Sequence, residues 1–326
     1  MGGQGATEPL IPSRPAQRAS VAKEYRSVAL NWWKRGLAAL GIATSTLGGL
    51  AAPAAARDAR PALWQVSDAD TKIYLFGTIH LLPEGLNWRT PTFDKAVADS
   101  QELVVETVID EKNPQKMGAI MAKLGLRAGL PPLLDRVPPA RRTRLQAAVQ
   151  SSGVPLAAYN RLETWAAAFT LLGLQFRSMD LKSEQGVEQV LRSSFTTAGK
   201  PIGELETNEQ QLGFFDQLPE AAQRSLLESA TEQPAAVKGE FDKMLGAWTS
   251  GDPASIARAF NADMQSSPAL MDVLLKRRNA NWARWIENRM QQPGTIMIAV
   301  GAGHLAGSSS VLALLAKDGY KVRRLQ

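Results

Sequence analysis

Two short apolar runs near opposite ends of the chain each lead into a Gly-x-x-His quartet, and this pairing restricts the fold more than any other feature. Residues 72–76 precede Gly77-Thr78-Ile79-His80, and residues 295–300 precede Gly301-Ala302-Gly303-His304. His80 and His304 are the only two histidines in 326 residues, which include 26 glycines. Independent placement would put glycine three positions before both with a probability of roughly 0.006, so the repeat is a signal. For both quartets to serve one site, strands separated by most of the chain must meet. An open α/β sheet allows this, because helical crossovers bring distant strands together and sites gather beyond the carboxyl ends of parallel strands.

The intervening sequence has the pattern such a sheet needs. Residues 62–66 and 72–76 read as strands joined by a hairpin-like turn at 67–70, and 92–99 has short helical character. Glu102-Leu103-Val104-Val105-Glu106 reads as a buried strand ending on a carboxylate. From 114 to 195 the pattern is helical, clearest at 161–176 and 184–195, with breaks at Pro131-Pro132, Pro138-Pro139 and Pro155. Residues 200–206 form another strand ending on a carboxylate, Glu206, and Thr207-x-x-Gln210 is a capping-box start for the next helix. Helices follow at 218–229, 238–249, 253–264 and 271–290, then a strand at 295–300. A helix at 310–317, stopped by Asp318-Gly319, and a strand at 321–325 close the chain. The expected fold is α/β (or α+β): a central mixed, largely parallel sheet flanked by helices, in one domain over 57–326 with a helical insertion at about 112–290.

The 271–290 helix carries an anomaly. Placed on a 3.6-residue wheel, Met271, Leu274, Leu275, Trp282, Trp285, Ile286 and Met290 form one arc, with Arg277, Asn281, Arg284 and Asn288 opposite. Arg278 and Asn279 fall inside the apolar arc. A buried arginine needs an anionic partner and a buried asparagine needs hydrogen bonds. Two readings stand: a salt bridge tying the helix to the core, or members of a site.

Charge and cysteine content exclude several functions. Of the formal charge of +6, the segment before residue 57 holds six basic and two acidic residues, or +4, leaving +2. No nucleic-acid-binding patch is indicated. The chain has no cysteine, which excludes disulfides, thiolate metal sites and a cysteine nucleophile. Residues 1–27 show no periodicity and read as disordered. Residues 28–56 run from Trp32-Trp33-Lys34-Arg35 through an uncharged segment to Ala56, matching a signal peptide cleaved near Ala56. That reading places the mature protein in the periplasm or outside the cell. An uncleaved N-terminal membrane anchor is the other reading of the same segment.

Four strands thus lead to His80, Glu106, Glu206 and His304. Two imidazoles and a carboxylate with open positions for water suit a divalent transition metal, giving His80, Glu106 and His304 as candidate ligands. Glu206 would act as general base or orient a histidine. Gly77, Gly301 and Gly303 would let the backbone turn or approach a ligand closely. The plain alternatives are core histidines, an ordinary strand-end acid at Glu106, and a favourable acid before a helix N-terminus at Glu206. Gly301-Ala302-Gly303-His304-Leu305-Ala306-Gly307 has its third glycine one residue late for a dinucleotide loop. Ser308-Ser309-Ser310 reads as a helix cap rather than a nucleophile.

The segments Leu75-Phe76-Gly77-Thr78-Ile79-His80-Leu81, Leu103-Val104-Val105-Glu106, 199–207, Arg278-Asn279 and 300–307, in this order, resemble the TraB/GumN family over about residues 62–325. That family includes the Tiki metalloproteases and, more distantly, ChaN-like and erythromycin-esterase-like proteins. The resemblance implies a central sheet with both Gly-x-x-His motifs and a glutamate around one centre. Carried onto this chain, these are His80, His304 and Glu106, with Glu206, Arg278 and Asn279 in support. It further implies peptide hydrolysis dependent on a divalent metal (Mn2+, Co2+ or Zn2+). The competing expectation is a non-catalytic envelope protein that binds a peptide, a haem-like ligand or an exopolysaccharide in the same pocket.

Overall fold

A computed structural model describes residues 57–326 apart from 111–112, 178–180, 182 and 266–267. The expected disordered stretch and signal peptide or anchor at 1–56 lie outside the described residues. Among the described residues, no helix is long and apolar enough to cross a membrane.

The chain forms a six-stranded sheet and a separate two-residue pairing of β1 (Arg57–Asp58) with β4 (Leu86–Asn87). The sheet contains β2 (Leu63–Ser67), β3 (Thr71–Thr78), β5 (Glu102–Val105), β6 (Ile202–Glu204), β7 (Gly294–Gly301) and β8 (Val322–Arg324). Its order is β6-β5-β7-β3-β2-β8. The first four run parallel, and β2 is antiparallel to both β3 and β8, so the sheet is mixed and mostly parallel, as expected. The β2–β3 hairpin closes on Asp68, whose Oδ1 accepts from the Asp70 and Thr71 amides at 3.2 and 2.8 Å. Short polar side chains mimic a backbone turn in this way.

Strands β3 and β7 are central and covered on both faces, which is why they read as nearly unbroken apolar runs. One face of the sheet carries Phe76, Leu103, Val105, Met297 and Ala299. It packs under helices α1 (Pro91–Asp99), α2 (Val187–Thr197) and α3 (Pro234–Thr249), which supply Phe93, Leu191, Phe195 and Trp248. The other face carries Ile73, Leu75, Val104, Ile298 and Val300 against α4 (Arg277–Arg289) and α5 (Val311–Lys317). A third core lies in the helical insertion around Trp165, Phe169 and Leu226. Among the described residues of the insertion, β6 is the strand that joins the sheet, and it returns the chain to the sheet edge.

The long helix expected at 271–290 is wound in two ways. Met271–Lys276 forms a π-helical turn, with the Arg277 amide donating to the Asp272 carbonyl, before the α-helical turns of α4. Such turns insert an extra residue and often adjoin sites. The wheel still holds where it matters: Arg278, Asn279, Trp282, Ala283 and Ile286 are buried.

Glycine at position 77 is required by contact, not by dihedral angle. A Cβ there would come within 2.9 Å of Ala302 Cα and 3.0 Å of its Cβ. The end of β3 therefore presses against the turn that carries His304. Gly77→Ala is expected to cost about 1–3 kcal/mol through overpacking, read as a lower urea midpoint with unchanged slope.

Candidate active site

Strand register brings the two quartets together. β3 and β7 pair from Thr71↔Gly294 through Thr78↔Gly301, so the motifs leave adjacent parallel strands one residue out of step. Beyond β5 comes Glu106, beyond β6 comes Glu206, and beyond β7 a 3-10 turn, Ala302–Leu305, carries His304. The Leu205 and Glu206 amides donate to the Val105 and Glu106 carbonyls, extending the pairing past the strand ends.

Arg278 reaches from α4 into the middle of this group. Its Nε donates to both Glu206 oxygens at 3.0 Å, and its Nη2 donates to Glu206 Oε2 at 2.8 Å and Glu106 Oε2 at 2.7 Å. Nη1 lies 3.2 Å from His304 Nε2. A guanidinium can only donate, so Nε2 accepts and the ring proton sits on Nδ1. Nδ1–H then donates to Asn279 Oδ1 at 2.6 Å, and Asn279 Nδ2 donates to the Ser309 carbonyl at 2.7 Å. The Trp282 indole donates to Glu206 Oε1 at 2.9 Å, and its ring packs 4.4 Å from the His304 ring. Arg278 also lies over the Trp282 and Phe214 rings, at 4.7 and 5.6 Å. The two readings of Arg278 and Asn279 therefore merge: the buried salt bridge is itself part of the site.

Glu106 is held on every side. Gly301 N–H donates to Oε1 at 2.7 Å, and Gln211 Nε2 donates to Oε2 at 3.1 Å. A Cβ at position 301 would sit 3.1 Å from Oε1, so glycine there leaves the amide clear to reach the carboxylate. Gly303 is buried within the His304 turn.

The electrostatics follow from this packing. Burial pushes the Glu106 carboxyl up, but Arg278, the two imidazoles and the Gly301 amide outweigh it and hold it down at about 2. Burial, with Arg278 beside it, pushes His304 down to about 3. Burial also lowers His80, with Arg278 acting in the same direction and Glu106 against it. Arg278 is buried, yet its two carboxylates raise it and keep it charged. At neutral pH the site holds two neutral imidazoles, an ionised Glu106 and a fixed cation.

All six sequence candidates, His80, Glu106, Glu206, Arg278, Asn279 and His304, thus come to one end of the sheet. Their roles differ from simple expectation. Both Glu206 oxygens are taken by Arg278 and Trp282, so Glu206 is the counter-ion of Arg278 rather than a free base. Each guanidinium nitrogen of Arg278 is likewise engaged by a site residue. Asn279 orients His304.

Sequence reasoning missed Glu188, whose Oε2 lies 3.3 Å from His80 Nδ1, and Gln211 on Glu106. It also missed the Trp248 indole, which donates to the Gly77 carbonyl at 2.8 Å. Glu188 sits in the first turn of a recognised helix, but a first-turn acid is so common that it carried no signal. Among the described residues, no three His, Asp or Glu side chains are placed to hold a metal ion as they stand.

The TraB/PrgY/gumN family pattern matches residues 62–324. The chain is 24% identical over 258 residues to the uncharacterized protein YbaP of Escherichia coli (strain K12), covering 78% of this chain and 92% of that one. It is 26% identical over 183 residues to the uncharacterized protein YbaP of Shigella flexneri, covering 56% and 67%. No solved structure matches it. The family match takes in every site residue named above, from His80 to His304. The chain belongs to the TraB/PrgY/gumN family.

Proposed function

We propose that the chain is a hydrolase of the metal-dependent peptidase kind, working at the carboxyl ends of β3, β5, β6 and β7. The observation that carries this reading is that His304 and Glu106 meet on one buried cation, Arg278, at the end of the sheet where the His80 motif also leaves β3. Export is part of the proposal and rests on the leader sequence alone.

The donor chemistry suits a divalent transition metal: nitrogen from neutral histidine and oxygen from an ionised carboxylate. His80, Glu106 and His304 would hold it, with Arg278 as competitor for Glu106 and His304. A bound metal of this type supplies Lewis acidity, polarising a carbonyl and acidifying water.

The chain's own residues account for the rest. Burial holds His80 neutral, so it would give a lone pair to a metal ion without first losing a proton. Asn279 fixes the His304 tautomer, so that Nε2 is its unprotonated nitrogen. Arg278 and Gly301 hold Glu106 ionised and immobile, and burial excludes bulk water from the group.

The test is hydrolysis of a peptide library by the 57–326 chain with Mn2+, Co2+ or Zn2+ supplied singly. Cleavage is expected, reduced about 100-fold or more in His80→Ala/His304→Ala. Equal inactivity of wild type and variant with every metal would overturn the reading. A peptide-dependent thermal shift that survives chelation without product would point to binding alone.

A further inference from the structure

Both histidines are held by the same ring nitrogen. His304 Nδ1 rests on Asn279 Oδ1 at 2.6 Å, and His80 Nδ1 lies 3.3 Å from Glu188 Oε2. Glu188 is the second residue of α2, and that helix is pinned to the histidine loop by its own first residue. The Val187 amide donates to the Ile79 carbonyl at 3.0 Å, so backbone bonding fixes the two side chains from adjacent positions. The His80 and Glu188 side chains are only 10% and 12% exposed, which leaves little water to compete. Since imidazole has only two nitrogens, engaging Nδ1 leaves Nε2 for whatever enters the pocket.

The geometry points to Glu188 as the positioning residue of His80, fixing its ring so that Nε2 is the nitrogen presented to a metal ion or substrate. Asn279 holds His304 by the same nitrogen, but there Nε2 already accepts from Arg278 Nη1 at 3.2 Å. What Nε2 meets rests on the hydrolase reading; the hold on His80 does not.

The two imidazoles give two resolvable nitrogen pairs by 15N NMR, assigned with His304→Asn. In the wild-type chain at neutral pH, the His80 nitrogens are expected at well-separated shifts, marking one tautomer. Glu188→Leu, which cannot hydrogen-bond, is expected to move them toward a common averaged value while those of His304 stay in place. Glu188→Gln is expected to restore the separation. With any peptide that wild type cleaves in Mn2+, kcat should fall about 10-fold or more in Glu188→Leu, with KM little changed, and recover in Glu188→Gln. Unchanged His80 shifts in Glu188→Leu, with only a lower melting temperature, would overturn the proposal. If that variant does not fold, Glu188→Ala carries the same measurement. A wild type that cleaves nothing defeats the hydrolase reading alone, because the NMR result stands by itself.

Discussion

Arg278→Met is expected to destabilise the chain by about 3–5 kcal/mol at pH 7.5, measured by urea unfolding. The guanidinium makes hydrogen bonds to Glu106 and Glu206 in a site where all three side chains are almost fully buried. Methionine fills part of the volume over Trp282 and Phe214 but leaves two carboxylates buried beside an unprotonated imidazole. Repulsion and desolvation then act together, and protonation of the carboxylates is the available relief. The deficit should therefore shrink at acid pH. In the wild type Glu106 is held at about 2 against an ordinary value of 4.5. Its stabilisation is present above 4.5 and lost as pH falls toward 2, an amount of about 3 kcal/mol. Arg278→Lys keeps the charge but not the forked geometry and should fall between the two. A loss below about 1 kcal/mol for Arg278→Met would contradict the buried network.

Acid should also weaken the wild-type chain through His304, the second large effect. Its folded value of about 3 lies below the ordinary 6.5, so the unfolded chain binds a proton that the folded chain refuses. That stabilisation is present above pH 6.5 and is lost as pH falls toward 3, at about 1.4 kcal/mol per pH unit. Glu188 runs the opposite way. Its carboxyl is raised to about 8, so its contribution is present below the ordinary 4.5 and lost as pH rises toward 8. Between pH 4.5 and 6.5 the slopes of Glu188 and His80 oppose each other, since folding raises the Glu188 carboxyl and lowers the His80 imidazole. The measurable quantity is therefore the stability gap between wild type and His304→Asn, from urea melts across this range. That gap should narrow by about 2 kcal/mol from pH 6.5 to 4.5. A constant gap would mean that His304 is as easily protonated folded as unfolded.

The sheet and much of the site were legible because each strand that positions a functional group has its own signature. The runs before Gly77 and Gly301 are apolar because β3 and β7 are covered on both faces. Glu106 and Glu206 follow shorter strands, and the Thr207 capping box is present with both of its reciprocal hydrogen bonds. Helical periodicity also placed Arg278 and Asn279 on the buried side of α4. What could not be read was partnership. Whether Arg278 pairs with Glu106, Glu206 or both depends on strand order, and no local pattern encodes that β7 lies between β5 and β3. Glu188 and Gln211 look like ordinary solvated helix residues until the helices dock. The π-helical turn at Met271–Lys276 was invisible because an apolar stripe has nearly the same appearance whichever turn precedes it.

The position of β7 has a consequence for how the molecule comes into being. This strand is synthesised after β2, β3, β5 and β6, yet it lies between β5 on one side and β3 on the other. Until it arrives, the nascent chain has two strands whose final neighbour does not exist, and a helical insertion that can assemble its own core first. Contacts of such sequence separation form slowly, and unpaired edges are exposed in the interval. Arg278 and His304 lie on either side of β7 in the sequence. The entry of β7 therefore also brings Arg278 and His304, which flank it in the sequence, to the two glutamates at the ends of β5 and β6.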